Sequence, residues 1–379
     1  MVVNQGENNI FAPYNGFVIM VAYLMFVFGF CALVQILFLL VYLISIGFYK
    51  KKEKREQSPV SIIVCTRNEI DNLRQNIPLL LEQDHPNFEL IVVNDQSSDG
   101  TYEYLHGLKK QFTNFKLVQI DSVPNHIQSK KYAITLGVKA ASNNKLLFTD
   151  ADCTPNSIKW ASEMTVENSF VIGVSLYSKR RGFLNLFIRF ETYLTAIQYV
   201  GNALLGKPYM GVGRNLSYDK RLFIENNGFN KFQGIVGGDD DLFVNQHATR
   251  KNSEVVLGEE SLVYSKPKTS IRSFFIQKIR HLSVGKYYKF SDKIILAHFA
   301  LSYIMFWISG ISLVFFEPST VLIAFSIRLG LLIAVFYIAS KRFGERFVPL
   351  MLPVLDFLYV IYYISGGIVS AFSKKVRWN

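Results

Sequence analysis

Charged side chains are scarce in this chain of 379 residues. Only 18% of the residues are charged and 50% are hydrophobic, whereas a soluble domain carries about 25% charged residues. The deficit is local, because residues 8–49 contain no charged side chain at all. This scarcity excludes an ordinary soluble protein and predicts membrane segments.

Cysteine is also scarce, with only Cys31, Cys65 and Cys153 scattered along the chain. An odd and scattered set supports neither a disulfide framework nor a zinc site, and a reducing compartment is expected. The charge that is present is unbalanced, with a net value of +12. This excess suits contact with anionic lipid or with a phosphate-rich substrate. We expect no nucleic-acid partner, because a bilayer accounts better for so apolar a chain.

Four apolar segments are long enough for membrane helices, which require about 20 residues. They cover residues 17–48, 294–316, 320–339 and 347–372. The first differs from a cleaved signal peptide, because its apolar core is too long and no Lys or Arg precedes it. The basic run KKKEKR at 50–55 then predicts that the following domain is cytoplasmic.

The fourth segment leaves two interpretations open. Pro349, Pro353 and the pair Gly366–Gly367 permit a re-entrant or interfacial element. A full crossing instead places the basic tail KKVRWN outside, against the positive-inside rule. We favour four crossings.

Two charged residues, Arg328 and Asp356, lie inside the last two apolar segments at similar depth. Charges within a membrane are unfavourable unless they are paired or serve a function. We therefore predict an ion pair between them, and a substrate path is the alternative interpretation.

The region between the first and second apolar segments has an ordinary composition. Apolar runs at 60–66, 88–95, 115–120 and 145–152 alternate with helical stretches, which predicts a parallel sheet with helices on both faces. Ligands of such sheets bind at the carboxyl ends of the strands. The polar residues at these ends are Thr66, Arg67, Asp95, Asp150 and Asp152.

Asp150 and Asp152 flank a single small residue, so in an extended chain their carboxylates face the same side. Two such carboxylates suit a hard divalent cation, which then binds phosphate oxygens of a ligand. The pattern indicates a metal-assisted phosphate site, although helix capping after a strand is the structural alternative.

An ordered set of motifs resembles the membrane-bound family 2 glycosyltransferases, which have a GT-A fold. The matching stretches, in family order over residues 60–281, are VSIIVCTRNE, VNDQSSDGT, KKYAITLGVKAA, FTDADC, GVGRNLSY, GGDDDL and QKIRH. The resemblance implies an α/β, Rossmann-like catalytic domain joined to α-helical transmembrane segments. It also implies inverting transfer from a nucleotide-diphosphate sugar, most often UDP-linked.

Two positions depart from the family pattern. Gly238 stands where the family has the Glu of its acidic motif, so the catalytic base is assigned to Asp239, with Asp240 as the second choice. The remaining aspartates are expected to start a helix over 239–249, whose N-terminus favours negative charge. His281 replaces a Trp that packs against the acceptor in the family, so the acceptor contact differs here.

The resemblance assigns the other site residues by their motif positions. The donor site is expected to contain Thr66, Arg67, Glu69, Asp95, Lys130 and Asp150. Asp152, with Asp150, is the predicted ligand of Mg²⁺ or Mn²⁺. Contacts to the acceptor or the diphosphate are expected from Gln277, Arg280 and His281.

The predicted domains follow in chain order. They are a tail and transmembrane helix (1–49), a basic cytoplasmic linker (50–57), the GT-A domain (58–268), an amphipathic interface segment (269–293), and three membrane segments with a basic tail (294–379). A second apolar stretch at 181–201 is expected either to line an acceptor groove at the membrane or to belong to the core.

Three functions are compatible with the sequence. The first is transfer of a sugar to a membrane lipid, with a plan similar to that of ceramide glucosyltransferases. The second is a processive polysaccharide synthase acting on a glycan acceptor, and the loss of the motif Trp argues against it. The third is an inactive binding or scaffold subunit, and the full set of aspartates argues against that.

Overall fold

The computed structural model describes residues 12–52 and 57–372, with side chains given from residue 16 to residue 369 within these ranges. The N-terminal tail, part of the basic linker and the C-terminal tail therefore lie outside the described residues. The helices are α1 Ala12–Gly47, α2 Ile70–Leu81, α3 Thr101–Gln111, α4 Ser129–Ala140, α5 Trp160–Met164, α6 Phe183–Leu204, α7 Lys220–Glu225, α8 Asp241–His247, α9 Ile271–Val284, α10 Phe290–Leu313, α11 Pro318–Phe343 and α12 Leu352–Phe372. The strands are β1 Val60–Thr66, β2 Phe88–Asp95, β3 Phe115–Ile120, β4 Lys145–Asp150, β5 Cys153–Pro155, β6 Phe170–Ile172, β7 Ser175–Tyr177, β8 Leu216–Asp219, β9 Ser253–Val255 and β10 Val263–Ser265.

The larger sheet has seven strands in the order β3-β2-β1-β4-β8-β6-β9. β1 pairs in parallel with β2 and β4, and β2 pairs in parallel with β3, whereas β8 is antiparallel to both of its neighbours. A smaller sheet is formed by β5, β10 and β7. The predicted α/β architecture is confirmed, and only the fourth strand differs, since it ends at Asp150 instead of continuing to 152.

Both faces of the large sheet are covered, because side chains alternate between the faces along each strand. Ile62 and Val64 of β1 belong to a core with residues of α2 and α3, whereas Ile63 belongs to a second core with residues of α4. This double burial explains why the central strands are continuous apolar runs in the sequence.

Four helices of the described chain are long and apolar enough to cross a membrane, namely α1, α10, α11 and α12. α10 begins at Phe290, four residues before the predicted segment. α12 is a single helix, because Pro349 precedes it, Pro353 lies in its first turn and the glycine pair does not interrupt it. A broken re-entrant element is therefore not what the described residues form.

The membrane helices and the catalytic domain share one hydrophobic core. Residues of α1, α11 and α12 belong to the same buried cluster as residues of α4, α6 and the large sheet. α6 is mostly buried, and it contacts α1, α11 and α12. The stretch predicted either as core or as an acceptor groove is mostly core and joins the two parts of the protein, and one side of it also lines a cavity.

The predicted pair between Arg328 and Asp356 is confirmed. The Arg328 guanidinium donates to both carboxylate oxygens of Asp356, at 2.6 and 3.2 Å, and both residues are buried. Tyr303 of α10 donates its hydroxyl to Asp356, and Gln35 of α1 accepts from Arg328 at 3.4 Å. One polar network therefore connects all four membrane helices.

Removing one partner of this pair should destabilise the membrane bundle, because the other charge is then buried without compensation. We expect Arg328→Met to lower the free energy of unfolding by about 3–5 kcal/mol. The double variant Arg328→Met/Asp356→Asn should lose less than the sum of the two single losses. Thermal unfolding of the detergent-solubilised protein measures both effects, with the exposed Arg346→Met as a control, and additive losses would contradict the pairing.

Candidate active site

The carboxyl ends of β1 and β2 form the first part of the site. The Thr66 hydroxyl and one carboxylate oxygen of Asp95 are buried without a hydrogen-bond partner. The other oxygen of Asp95 accepts from the Ser129 hydroxyl and lies 3.8 Å from the Arg67 guanidinium. Because buried polar atoms are nearly always satisfied, this pair of open oxygens fits a polar ligand at the strand ends.

A second acidic group follows β4. One ligand atom each from Asp150, Asp152 and Cys153 lie within 4.8 Å of one another. Burial and the neighbouring Asp150 raise the pKa of Asp152, although Arg214 opposes this effect. Burial raises the pKa of the Cys153 thiol well above its ordinary value, and this thiol donates to the Asp152 carboxylate. The two carboxylates are oxygen ligands that fit Mg²⁺ or Mn²⁺.

Glu69 lies at the start of α2, beside this acidic group. Burial raises the pKa of Glu69, and the charge of Asp152 raises it further. Its carboxylate also accepts a hydrogen bond from Asn72. Glu69 is therefore close to the candidate metal ligands, and its predicted donor contact remains a prediction.

The three consecutive aspartates have different environments. Asp240 is the N-cap of α8, and it accepts from the backbone N–H groups of Asp241 and Gly213. Asp241 accepts from the Tyr288 hydroxyl at 2.9 Å and from the N–H of Leu242. The expected helix start at 239 is wrong, because α8 begins at Asp241 and ends at His247. The carboxylates of Asp240 and Asp241 thus accept backbone hydrogen bonds at the start of α8, whereas the carboxylate of Asp239 does not cap this helix.

The backbone conformation explains why position 238 is a glycine. Gly237 and Gly238 have φ angles of +78° and +76°, which L side chains rarely adopt. A Cβ atom on Gly238 would lie 2.6 Å from a side-chain atom of Leu242. A Glu at this position is therefore disfavoured in this backbone, and the acidic function has to come from a later residue.

Lys130 links Asp239 to the candidate metal ligands. Its ammonium nitrogen lies 3.2 Å from Asp239 and 3.1 Å from Asp150. Burial disfavours a charge on Lys130, but the two carboxylates outweigh it and raise the pKa of this residue well above its ordinary value. Burial likewise opposes ionisation of Asp239, but Lys130 and Lys131 outweigh it and lower the pKa of that carboxyl. Asp239 is therefore ionised at neutral pH.

Lys131 is a residue that the sequence argument did not identify. Its ammonium group donates to the backbone carbonyls of Ile235 and Gly237, just before the aspartates. The side chain is buried and holds this loop against α4. The adjacent basic pair in KKYAITLGVKAA was the available signal, because consecutive helical residues point to different sides and therefore reach different groups.

A cavity of about 440 Å³ opens from Asp239 toward the membrane helices. It is bounded by the aspartate loop, by α6 and α9 of the catalytic domain, and by residues of α10 and α12. The predicted acceptor residues Gln277, Arg280 and His281 line it together with Lys130, Asp150 and Asp239. The structure thus brings the predicted base and the predicted acceptor residues to one cavity.

His281 occupies the position of the family Trp and lines this cavity. The protein packed around the cavity lowers the pKa of its imidazole, although the residue itself is exposed, and the neighbouring Lys278 and Arg280 lower the pKa further. His281 is therefore a neutral ring at physiological pH, able both to donate and to accept a hydrogen bond.

The chain matches two family profiles across the regions just described. "Glycosyl transferase family 2" matches residues 61–167, and "Glycosyl transferase family group 2" matches residues 151–365, more than half of the chain. The fold is that of a family 2 glycosyltransferase with a GT-A-like catalytic domain. The chain belongs to glycosyl transferase family group 2.

Curated relatives are similar over shorter stretches. A poly-beta-1,6-N-acetyl-D-glucosamine synthase of Staphylococcus epidermidis is 29% identical over 102 residues, which is 27% of this chain and 24% of that protein. A 4,4'-diaponeurosporenoate glycosyltransferase of Staphylococcus haemolyticus is 33% identical over 116 residues, covering 31% and 29% of the two chains. The similarity therefore spans less than a third of either relative.

Among solved structures, a mannosyltransferase from Pyrobaculum calidifontis in complex with GDP-Man and Mn²⁺ has a similar fold. The TM-score is 0.60 at 16% sequence identity, and the match covers 93% of this chain and all of the other. At this identity the comparison supports the fold alone.

Metal binding can be measured without turnover. We expect Asp152→Asn to weaken Mn²⁺ binding by at least about tenfold, since even the loss of an outer-sphere group has an effect of that size. The wild-type affinity should also fall with decreasing pH, starting above the ordinary Asp range, because ligands must be deprotonated and the pKa of Asp152 is raised. Calorimetric titration of the nucleotide-free protein measures both effects.

The matched control is Asp121→Asn, which removes an exposed carboxylate following β3. This variant should bind Mn²⁺ like the wild type. Equal affinities for all three proteins would remove Asp152 from the metal site.

Proposed function

We propose that the protein transfers a sugar, with inversion, from a nucleotide-diphosphate sugar to a hydroxyl group of a membrane lipid. The observation that carries this proposal is the position of Asp239. Its carboxylate is not used for capping, lines the cavity beside the membrane helices, and contacts Lys130, which also contacts the metal-site residue Asp150. The donor can therefore approach Asp239 from the side of the metal-site residues, and the acceptor can approach it through the cavity beside the membrane helices.

The donor side rests on the strand ends. The open oxygens of Thr66 and Asp95 suit the nucleoside, and Arg67 supplies positive charge beside them. Asp150 and Asp152 would hold the divalent metal, whose chemistry is to neutralise the negative charge of the diphosphate. The mannosyltransferase of similar fold was solved with GDP-Man and Mn²⁺, which agrees with this arrangement.

The transfer is a single displacement in which Asp239 acts as general base. The acceptor oxygen forms a bond to the anomeric carbon as its proton passes to the Asp239 carboxylate. The bond between the anomeric carbon and the phosphate oxygen breaks, and its electron pair leaves with the nucleoside diphosphate. Attack opposite to the leaving group inverts the anomeric configuration. Lys130 stabilises the negative charge on the donor side of the anomeric carbon.

The membrane side of the cavity supports a lipid acceptor. Leu296, Ala297 and Ala300 of α10 line the cavity, and Ala297 is also exposed on the surface of that helix. A molecule anchored in the bilayer therefore has an approach from the side to the carboxylate of Asp239. The basic run that follows α1 supports an approach from the cytoplasmic leaflet.

A processive polysaccharide synthase is the second candidate. The relative from Staphylococcus epidermidis is named for a polymer product, whereas the relative from Staphylococcus haemolyticus is named for a discrete compound. The described residues contain four candidate membrane helices, and a buried ion pair joins two of them. So few helices, packed in this way, favour the lipid acceptor over a channel for a polymer.

The base assignment predicts a sharp difference between neighbouring aspartates. Asp239→Asn should lower kcat by about 10²–10⁴-fold while nucleotide binding stays nearly unchanged. Asp240→Asn is the matched control; its single amide oxygen can replace only one of the two carboxylate oxygens that accept from Asp241 and Gly213, so we expect a modest loss of stability but no comparable loss of kcat. Steady-state kinetics and nucleotide titration measure the difference, and a reversed pattern would move the base to Asp240.

The product should be a small glycolipid. Purified protein incubated with a panel of labelled nucleotide sugars and membrane lipids should place the label in the organic phase. Gel filtration of the aqueous phase provides the opposing test. A water-soluble polymer of high molecular weight would support the synthase instead.

A further inference from the structure

One face of α6 inside the cavity is polar, although the helix is mostly buried. Glu191, Thr195 and Gln198 are spaced by four and three residues, so they lie on one side of the helix, and all three line the cavity. The Lys278 ammonium group forms an ion pair with Glu191, so these two charges compensate one another. Gln198 is a neutral group that this pairing leaves available.

Four of the residues that line this cavity each have a buried side-chain atom without a hydrogen-bond partner. The atoms come from four separate elements or loops, and they are Ser175 Oγ, Gln198 Nε2, Arg214 Nη1 and Gln277 Oε1. We call these four residues the polar floor. Ser175 and Gln198 are at least nine-tenths buried as whole residues. Unsatisfied buried polar atoms are rare in native proteins, and a group of four in one cavity indicates a bound polar ligand.

The donor and acceptor character of these atoms restricts the class of ligand. The nitrogens of Gln198 and Arg214 can only donate, the oxygen of Gln277 can only accept, and the Ser175 hydroxyl can do both. A phosphate or carboxylate ligand has no proton for Gln277, whereas hydroxyl groups satisfy all four atoms. Several hydroxyls on one rigid frame are the property of a sugar.

Aromatic rings that line the same cavity fit the same ligand. Tyr359, Tyr362 and Tyr363 of α12 line the cavity, and Tyr362 donates to Glu191 at 3.3 Å. Tyrosine presents a flat apolar face together with a polar tip. The C–H face of a pyranose ring packs on such a surface while its hydroxyls point toward polar groups.

We propose that the polar floor is a binding subsite for a sugar residue of the acceptor, so that the lipid acceptor carries a carbohydrate headgroup. This inference rests on the proposed transfer to a lipid and specifies its substrate. Gln198 belongs to α6, which packs against the membrane helices α1 and α12. The donor groups Thr66 and Asp95 instead end strands of the large sheet. Arg214 is the part of the polar floor nearest to the candidate metal ligands Asp150 and Asp152, whereas Gln198 lies toward the membrane helices. We assign the polar floor to the acceptor on the position of Gln198, and on this assignment the enzyme extends a glycolipid.

The test compares lipids with identical acyl chains and different headgroups. Purified full-length protein in lipid nanodiscs receives the active nucleotide sugar, with diacylglycerol, phosphatidic acid or a panel of monoglycosyl diacylglycerols as acceptors. We expect kcat/KM for the best glycosyl lipid to exceed that for diacylglycerol by at least about 100-fold, because a site built for hydroxyl groups rejects ligands that lack them.

Two variants connect this preference to the polar floor. Gln198→Leu should raise KM for the glycosyl lipid about five- to tenfold, the effect of one lost hydrogen bond, with KM for the nucleotide sugar unchanged. Ser175→Ala should act in the same direction, and it should fold normally because the hydroxyl has no protein partner. The control Gln111→Leu changes an exposed side chain at the end of α3 and should have no effect.

The contrary outcomes are distinguishable. Equal use of diacylglycerol and glycosyl lipids overturns the inference but leaves the proposed function intact. A rise in KM for the nucleotide sugar instead of the acceptor overturns it by assigning the polar floor to the donor sugar. Absence of transfer to every lipid, with polymer formed, overturns the proposed function and this inference together.

Discussion

The ion pairs of Lys130 are the interaction on which the rest of the site depends. Asp239 and Asp150 are carboxylates in a protected cleft, and their repulsion would drive one of them to protonate if no cation lay between them. Lys130 contacts both at 3.1–3.2 Å, which keeps Asp239 ionised despite its burial. The neighbouring Lys131 holds the backbone that carries Asp239. Two adjacent residues of one helix therefore fix both the charge and the position of the proposed base.

The shared core explains how a catalytic domain can serve a substrate in the bilayer. Because α6 packs against both the sheet domain and the membrane helices, the two parts do not form separate bodies with a flexible joint. The cavity lies at this junction, between a polar wall from α6 and an aromatic wall from α12. The pair of Arg328 and Asp356 fixes the helices behind the aromatic wall, so membrane packing and the shape of the cavity depend on one another.

The parts of this arrangement that local sequence determines could be predicted. Three strands have the predicted bounds, namely the edge strand β3 and the central strands β1 and β2, which are continuous apolar runs because both of their faces are buried. The polar residues at the strand ends followed from the rule for parallel sheets. The different environments of three adjacent aspartates depended on where α8 begins, and helix termini are poorly defined by sequence. The polar floor was predictable only in part, because Gln277 was an expected acceptor residue and Arg214 lies in the motif GVGRNLSY, whereas Ser175 and Gln198 join them only through the tertiary packing.

The ion pair between Lys130 and Asp239 also affects the order in which the donor and the acceptor can react. A carboxylate paired with a lysine is a weaker base than a free one, because the cation stabilises the ionised form, and the pKa of Asp239 is lowered for this reason. A diphosphate beside Asp150 brings negative charge that competes for the Lys130 ammonium group. If Lys130 turned toward a bound donor, it would stabilise the Asp239 anion less, and the basicity of Asp239 would rise. On the proposed function, the contact between Lys130 and Asp239 would therefore make full basicity depend on the donor and disfavour proton abstraction from an acceptor before a sugar is bound.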